Sequence, residues 1–155
     1  MGVIPLSKIA EILEAIGKKI ISDPLFKDSP IYWDDALMTR NNAHLPAIMF
    51  KVRSWSPTRG YCECERILEI RFLTAPKDPK RAVLDLWDYE EKLNTVLDEA
   101  VLSPEFNFFE LEKKGGSELA VMTYAKKDKD SYKTTGTLNA SVILDYYNLR
   151  YTYEV

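Results

Sequence analysis

The sequence predicts an α+β fold, a mostly antiparallel β-sheet packed against a long central helix and an N-terminal helix, and three observations carry that expectation. Apolar residues recur at helical spacing near the start and again in mid-chain. The stretches flanking the second helical run alternate apolar and polar residues with the period of two that a half-buried strand requires. Strand-forming sequence then fills the last third, from residue 132 to the terminal Val155. A length of 155 residues suffices for one well-buried core, so residues 1–155 read as a single domain.

In the first helical run Ile9, Ile12, Leu13, Ile16 and Ile20 form one face, with Glu11, Glu14, Lys18 and Lys19 on the others, which predicts a helix over 7–21. Asp23-Pro24 stops it, because the residue before proline is pushed out of helical geometry. Residues 22–46 hold turn signals (Ser29-Pro30, Asn41-Asn42) among apolar anchors (Ile31, Tyr32, Trp33, Leu37, Met38), a long connection with no evident regular structure. A strand over 47–55 and another over 61–73 flank the turn at 56–60. The second places Cys62, Cys64, Leu68, Ile70 and Phe72 on one face, broken only by Arg66, and Glu63, Glu65, Glu69 and Arg71 on the other. A sheet with a charged outer surface is expected.

Pro79 suits the first turn of a second helix, over about 80–102, with Val83, Leu86, Trp87, Leu93, Leu97, Ala100 and Val101 as its apolar stripe. Three strand candidates follow, over 107–113, 118–125 and 132–155. Gly115-Gly116 reads as a tight reversal between the first two, and the charged run 126–130 as a solvated tip between the second and third. The last segment changes parity: Leu138, Ala140, Val142 and Leu144 are apolar on even positions, Tyr147, Leu149, Tyr151 and Tyr153 on odd ones. A bulge, bend or break is expected at 145–148. A chain ending Tyr-Thr-Tyr-Glu-Val is expected to be tied into a sheet or a neighbouring subunit.

Composition narrows the function. Apolar residues make up 46% and charged residues 29%, the balance of a soluble globule. The 24 acidic and 21 basic residues, net charge -3, are spread along the chain and announce no basic face, which disfavours specific nucleic-acid binding. No apolar run approaches the ~20 residues of a membrane span, and the start lacks the pattern of a cleavable signal, so a cytosolic product without membrane association is expected. Leu6 stands where a myristoylation motif wants Ser or Thr.

Chemistry-bearing residues are few. Cys62 and Cys64 lie on one side of a strand, poorly disposed for a disulfide, and His44 is the only histidine, so no cofactor or metal is expected. Asp128 and Asp130 suggest a calcium loop, but Lys133 and Asn139 occupy the places of its glycine and glutamate. Glu90-Glu91 diverge on a helix as solvated surface, and Asp34-Asp35 beside Trp33 suit a helix cap. His44 has no partner signature, and neither a nucleophile elbow nor a phosphate-cradling glycine loop occurs. The tyrosine row Tyr147, Leu149, Tyr151, Tyr153 has four readings: core, sheet edge, subunit interface or base-stacking platform. The last is weakened because only Arg150 supplies positive charge inside it.

The order of helix, long connection, two strands, amphipathic helix and a strand-rich end containing Thr137-Leu-Asn-Ala-Ser-Val-Ile-Leu144 resembles the tail terminator proteins of long-tailed bacteriophages, also called minor tail or tail completion proteins. The likeness is one of layout over nearly the whole chain and carries over no individual residue. It implies a non-enzymatic structural virion protein of a phage or prophage tail, found in the host cytoplasm during assembly. Such a protein forms a homo-oligomeric ring, expected to be a hexamer, that caps the tail tube and joins it to the head connector. Its partners would be itself, the tail tube protein and the head–tail connector protein. On that view Trp33, Asp34, Asp35 in the long connection and Lys126, Lys127, Asp128, Lys129, Asp130 in the charged tip are docking-loop candidates.

Two other classes stay open. A small-ligand-binding or enzymatic α+β domain would gather Arg66, Cys62, Cys64 and His44 around a pocket, and an adaptor or chaperone-like dimer would use the sheet edge. Arg66 discriminates the first: buried beside a carboxylate it is structural, opening into an apolar pocket it favours a ligand.

Overall fold

The computed structural model describes residues 7–33, 45–57, 63–75, 78–102, 109–114, 118–128 and 130–152. Among them, helix α1 spans Lys8–Ile21 and helix α2 Pro79–Leu102. The strands are β1 (Ile31–Tyr32), β2 (Ala47–Pro57), β3 (Glu63–Thr74), β4 (Phe109–Lys113), β5 (Glu118–Lys127) and β6 (Thr134–Thr152). The α+β class is as expected, with every strand pairing antiparallel except that of β1 with β2.

Both helices start on side-chain caps, which satisfy amides that have no partner within the helix. The Ser7 hydroxyl accepts from Ala10 N at 3.3 Å, and the Asp78 carboxylate accepts from Arg81 N at 3.2 Å. Helix α1 ends at Ile21, where the Ser22 amide donates back to Lys18 O before Asp23-Pro24. It lies so close to the sheet that a Cβ on Gly17 would come within 3.3 Å of Ile31 and 3.7 Å of Phe50.

Residues 22–32 are more ordered than the sequence reading allowed. Asp23 accepts from Leu25 N at 2.9 Å and pairs with Lys92 of α2 at 3.2 Å, tying the end of α1 to the second helix. Phe26 is fully buried, edge-on to Phe72 at 5.6 Å, while Tyr89 stacks on Phe72 at 3.9 Å. This aromatic trio joins the connection, the sheet and α2, and offset and edge-on contacts of this kind add to plain burial. Strand β1 then pairs parallel to β2, Ile31 opposite Ile48.

The sheet runs β1-β2-β3-β6-β4, with β5 also on β6. Strands β4 and β5 both pair antiparallel with β6, so they run in the same direction along one edge. The tight reversal expected between them is therefore not formed. Lys113 stands opposite Tyr147 and Glu118 opposite Leu144, so the edge accommodates an insertion and continues. Gly115 and Gly116 themselves lie outside the described residues.

Strand β6 likewise departs from the expected break. Its register with β3 is unbroken from Ser141 to Thr152, so the change of apolar parity marks no bulge or break at 145–148. Both faces of the strand are covered instead. Ile143, Tyr147, Leu149 and Tyr151 enter the core beneath the helices, whereas Ala140, Val142 and Leu144 enter a second core with Ala47, Met49, Leu73 and Tyr124. The charged outer surface expected on β3 is likewise overturned: Glu69 is 0% and Arg71 5% exposed, because the β5–β6 hairpin folds over that face.

In α2 the buried stripe is Ala82, Leu86, Leu93, Val96 and Leu97, with Tyr89 packed against it. Trp87, expected within it, is half-exposed. At 3.6 residues per turn it stands about 100° round from Leu86, beside exposed Leu84 rather than over the sheet.

Candidate functional site

Strand β5 is an edge strand of an unusual kind. Among the described residues its one strand partner is β6, which leaves the opposite row of backbone donors and acceptors without a neighbouring strand. Ala120, Met122 and Tyr124 turn toward the second core, while Leu119 and Val121 project from the other face. Val121 is 76% and Leu119 39% exposed. Folded chains ordinarily blunt such an edge with charge, proline or a covering loop, since it templates pairing with another strand. Here charge comes only at the far end, with Lys126 and Lys127, and at the start, with Glu118.

Beneath the hairpin lies a buried charge network. Glu69 accepts from Arg71 Nε at 3.1 Å and from Arg53 Nε at 2.8 Å. Arg71 also donates to the Tyr124 hydroxyl at 2.9 Å and reaches Met122 Sδ at 3.4 Å. Burial alone would lower the basicity of Arg71, but the bonds to Glu69 and Tyr124 outweigh it and hold the guanidinium above its ordinary value. Two buried charges on one strand are tolerated because they neutralise and hydrogen-bond one another.

On the helical side a half-open groove of about 310 Å³ lies between α2 and β4, lined by Asn94, Leu97, Asp98, Leu111, Lys113 and Tyr147. The Tyr147 hydroxyl donates to Asn94 Oδ1 at 2.8 Å, and Lys113 Nζ sits 3.6 Å from the buried Asp145 carboxylate. Burial, followed by the charges of Asp145, Glu90 and Asp98, pushes the Tyr147 hydroxyl well above the usual phenol range. A phenol so perturbed is a poorer acid and holds its proton, so the arrangement orders these side chains rather than activating them. Its volume is at the small end for a ligand site.

The expected interface row is divided by this geometry. Tyr147, Leu149 and Tyr151 are 3%, 0% and 6% exposed within the chain's own core, so they present little surface to another subunit. Tyr153 lies outside the described residues. Of the docking-loop candidates, Trp33 packs partly buried against the helical core, Lys126 is half-buried, and Lys127 and Asp130 are exposed. Asp128 is turned into its own loop, accepting from Asp130 N at 2.8 Å and Ser131 N at 3.0 Å. Asp34, Asp35 and Lys129 lie outside the described residues.

The discriminating Arg66 fits neither alternative set out for it. Half-buried, it donates through Nε to the Tyr151 hydroxyl at 2.8 Å and does not line the groove. Cys64 is a buried free thiol nearby, while Cys62 and His44 lie outside the described residues. Among the described residues no group of three or more His, Cys, Asp or Glu side chains is placed to hold a metal ion, and no helix is long and apolar enough to cross a membrane.

Strand β5 is expected over 118–125 from the sequence, but not as a site. A usable signal was there: Leu119 and Val121 on odd positions and Ala120, Met122 and Tyr124 on even ones make it apolar on both faces, more than one core can absorb. No protein-family model matches the chain, and no curated protein matches its sequence.

Proposed function

We propose that the protein is a structural subunit that works by associating with copies of itself, and that it serves as a tail terminator of a phage or prophage tail. In that role a ring, expected to hold six copies, caps the tail tube and meets the head connector. The observation that carries the self-association is the β5 edge, which no described strand covers, with Val121 left in solvent, a surface whose apolar area and backbone groups gain from a partner strand. The layout of helix, hairpin, helix and strand-rich end supports the tail assignment.

Electron microscopy of purified tail tubes mixed with the protein tests the reading. Density capping one end of each tube is the expected result. Bare tubes, together with a protein that stays monomeric at high concentration, overturn it. The groove by α2 favours a second reading, a small-ligand module, which predicts saturable binding of a small polar molecule that Asn94→Leu abolishes.

A further inference from the structure

We infer that β5 pairs antiparallel with β5 of a second copy of this chain about a two-fold axis, in a register that sets Glu118 against Lys126. The inference rests on the reading that copies of the chain associate, and it specifies the contact. Three features of the strand lead to it.

The edge supplies the backbone groups. A ten-residue strand with no described neighbour on one side can add a strand there without rearranging its own sheet. Its charge supplies the orientation. The strand opens on Glu118 and closes on Lys126 and Lys127, so a parallel copy sets like charges side by side, whereas an antiparallel copy sets acid against base at both ends.

Side-chain alternation supplies the register. Residues directly opposite in an antiparallel sheet point to the same face, so a two-fold pair must match even with even and odd with odd. With Glu118 opposite Lys126, Leu119 falls opposite Ala125, Val121 opposite Thr123, and Met122 opposite its own copy. Leu119 and Val121, the exposed apolar residues of the strand, then form one stripe continuous across the axis. A shift by one residue, placing Glu118 against Lys127, breaks the parity.

Ten residues make a contact roughly 30 Å long. A single strand pair of that length buries less than the ~800 Å² per partner of a stable dimer, so the pair is weak and concentration-dependent. A two-fold contact closes after two copies. A larger ring therefore needs a second contact elsewhere on the surface.

Sedimentation of the full chain over a wide concentration range tests this, using two complementary charge variants. One carries Lys126→Glu with Lys127→Glu, the other Glu118→Lys. Each alone places like charges at both ends of the pair and is expected to self-associate at least tenfold more weakly than the parent chain. Mixed, the two restore acid opposite base at both ends and are expected to pair with each other at about the parent's strength. Circular dichroism matching the parent verifies that both variants fold. Variants that self-associate as the parent does, or a mixture no stronger than its components, overturn the β5 contact while leaving self-association standing. A parent chain that stays monomeric throughout and leaves tail tubes bare overturns the wider reading as well.

Discussion

Arg71 Nη1 donates to the Tyr124 hydroxyl across 2.9 Å, although the sheet register sets the two residues far apart. Arg71 stands opposite Leu144 and Tyr124 opposite Leu138, six residues along β6, which is about 20 Å in a flat sheet. The bond therefore requires β6 to coil so that its first half, with β5, folds back over β3. Coiling of this kind follows the natural twist of strands, and the second core fills the space it encloses.

Tyr124→Phe removes the hydroxyl and leaves a buried guanidinium with one partner fewer. A loss of about 1–3 kcal/mol in urea unfolding is expected. Hydrogen exchange is expected to rise first in β5 and the start of β6.

Glu69→Gln is more severe, because it deprives the buried Arg71 of its counter-charge, and about 3–5 kcal/mol is expected. Arg53→Ala, on a side chain 49% exposed, is expected to cost no more than about 1 kcal/mol. Equal losses for the two variants in the same unfolding experiment would contradict the network.

Tyr147 makes stability depend on alkaline pH. Its folded value is raised above the ordinary 10.0, burial being the main cause. The unfolded chain thus loses this proton first. The stability it contributes is complete below about pH 10 and declines as pH climbs from there toward the folded value. Tyr147→Phe is expected to be less stable than the parent at neutral pH, by about 0.5–1.5 kcal/mol for the bond to Asn94, and to show a shallower decline above pH 10. Parallel pH profiles would contradict it.

Asp128 works in the opposite direction. Bonds from the Ser131 and Asp130 amides hold its carboxylate below the ordinary 3.8. Order in the tip is therefore present above that value and is lost as pH falls through the depressed folded value. Amide shifts of Asp130 and Ser131 followed by NMR are expected to move together at an apparent value below 3.8, and Asp128→Asn is expected to remove the transition.

Along α2 the contrast between neighbouring faces is measurable. Leu93→Ala opens a cavity in the core, at an expected cost of about 2–5 kcal/mol. Leu84→Ser, on a side chain 45% exposed, is expected to stay within about 0.5 kcal/mol of the parent.

Local pattern carried much of the fold. The spacing of Ile12, Ile16 and Ile20, the stop at Asp23-Pro24 and the alternation across Leu68, Ile70 and Phe72 each depend on contacts within a few residues, and each element formed close to its expected bounds. Of the expected stripe of α2, Leu86, Leu93 and Leu97 are buried and Val83 partly so, whereas Trp87 is apolar yet half-exposed. The candidate site was legible only as a strand apolar on both faces, because an open edge is a property of strand order. Nothing in the residues of β5 states that β6 lies on one side and no described strand on the other.

By itself, then, the sequence determined the two helices, the longer strands and their order, though not β1, since periodicity is set by backbone geometry and a two-residue strand is too short to show one. Only the tertiary structure decided that β4 and β5 follow one another along β6, that Glu69 and Arg71 are buried, and that Tyr147, Leu149 and Tyr151 belong to the core. Those outcomes depend on the coiling of one long strand, which brings together side chains that no local spacing relates.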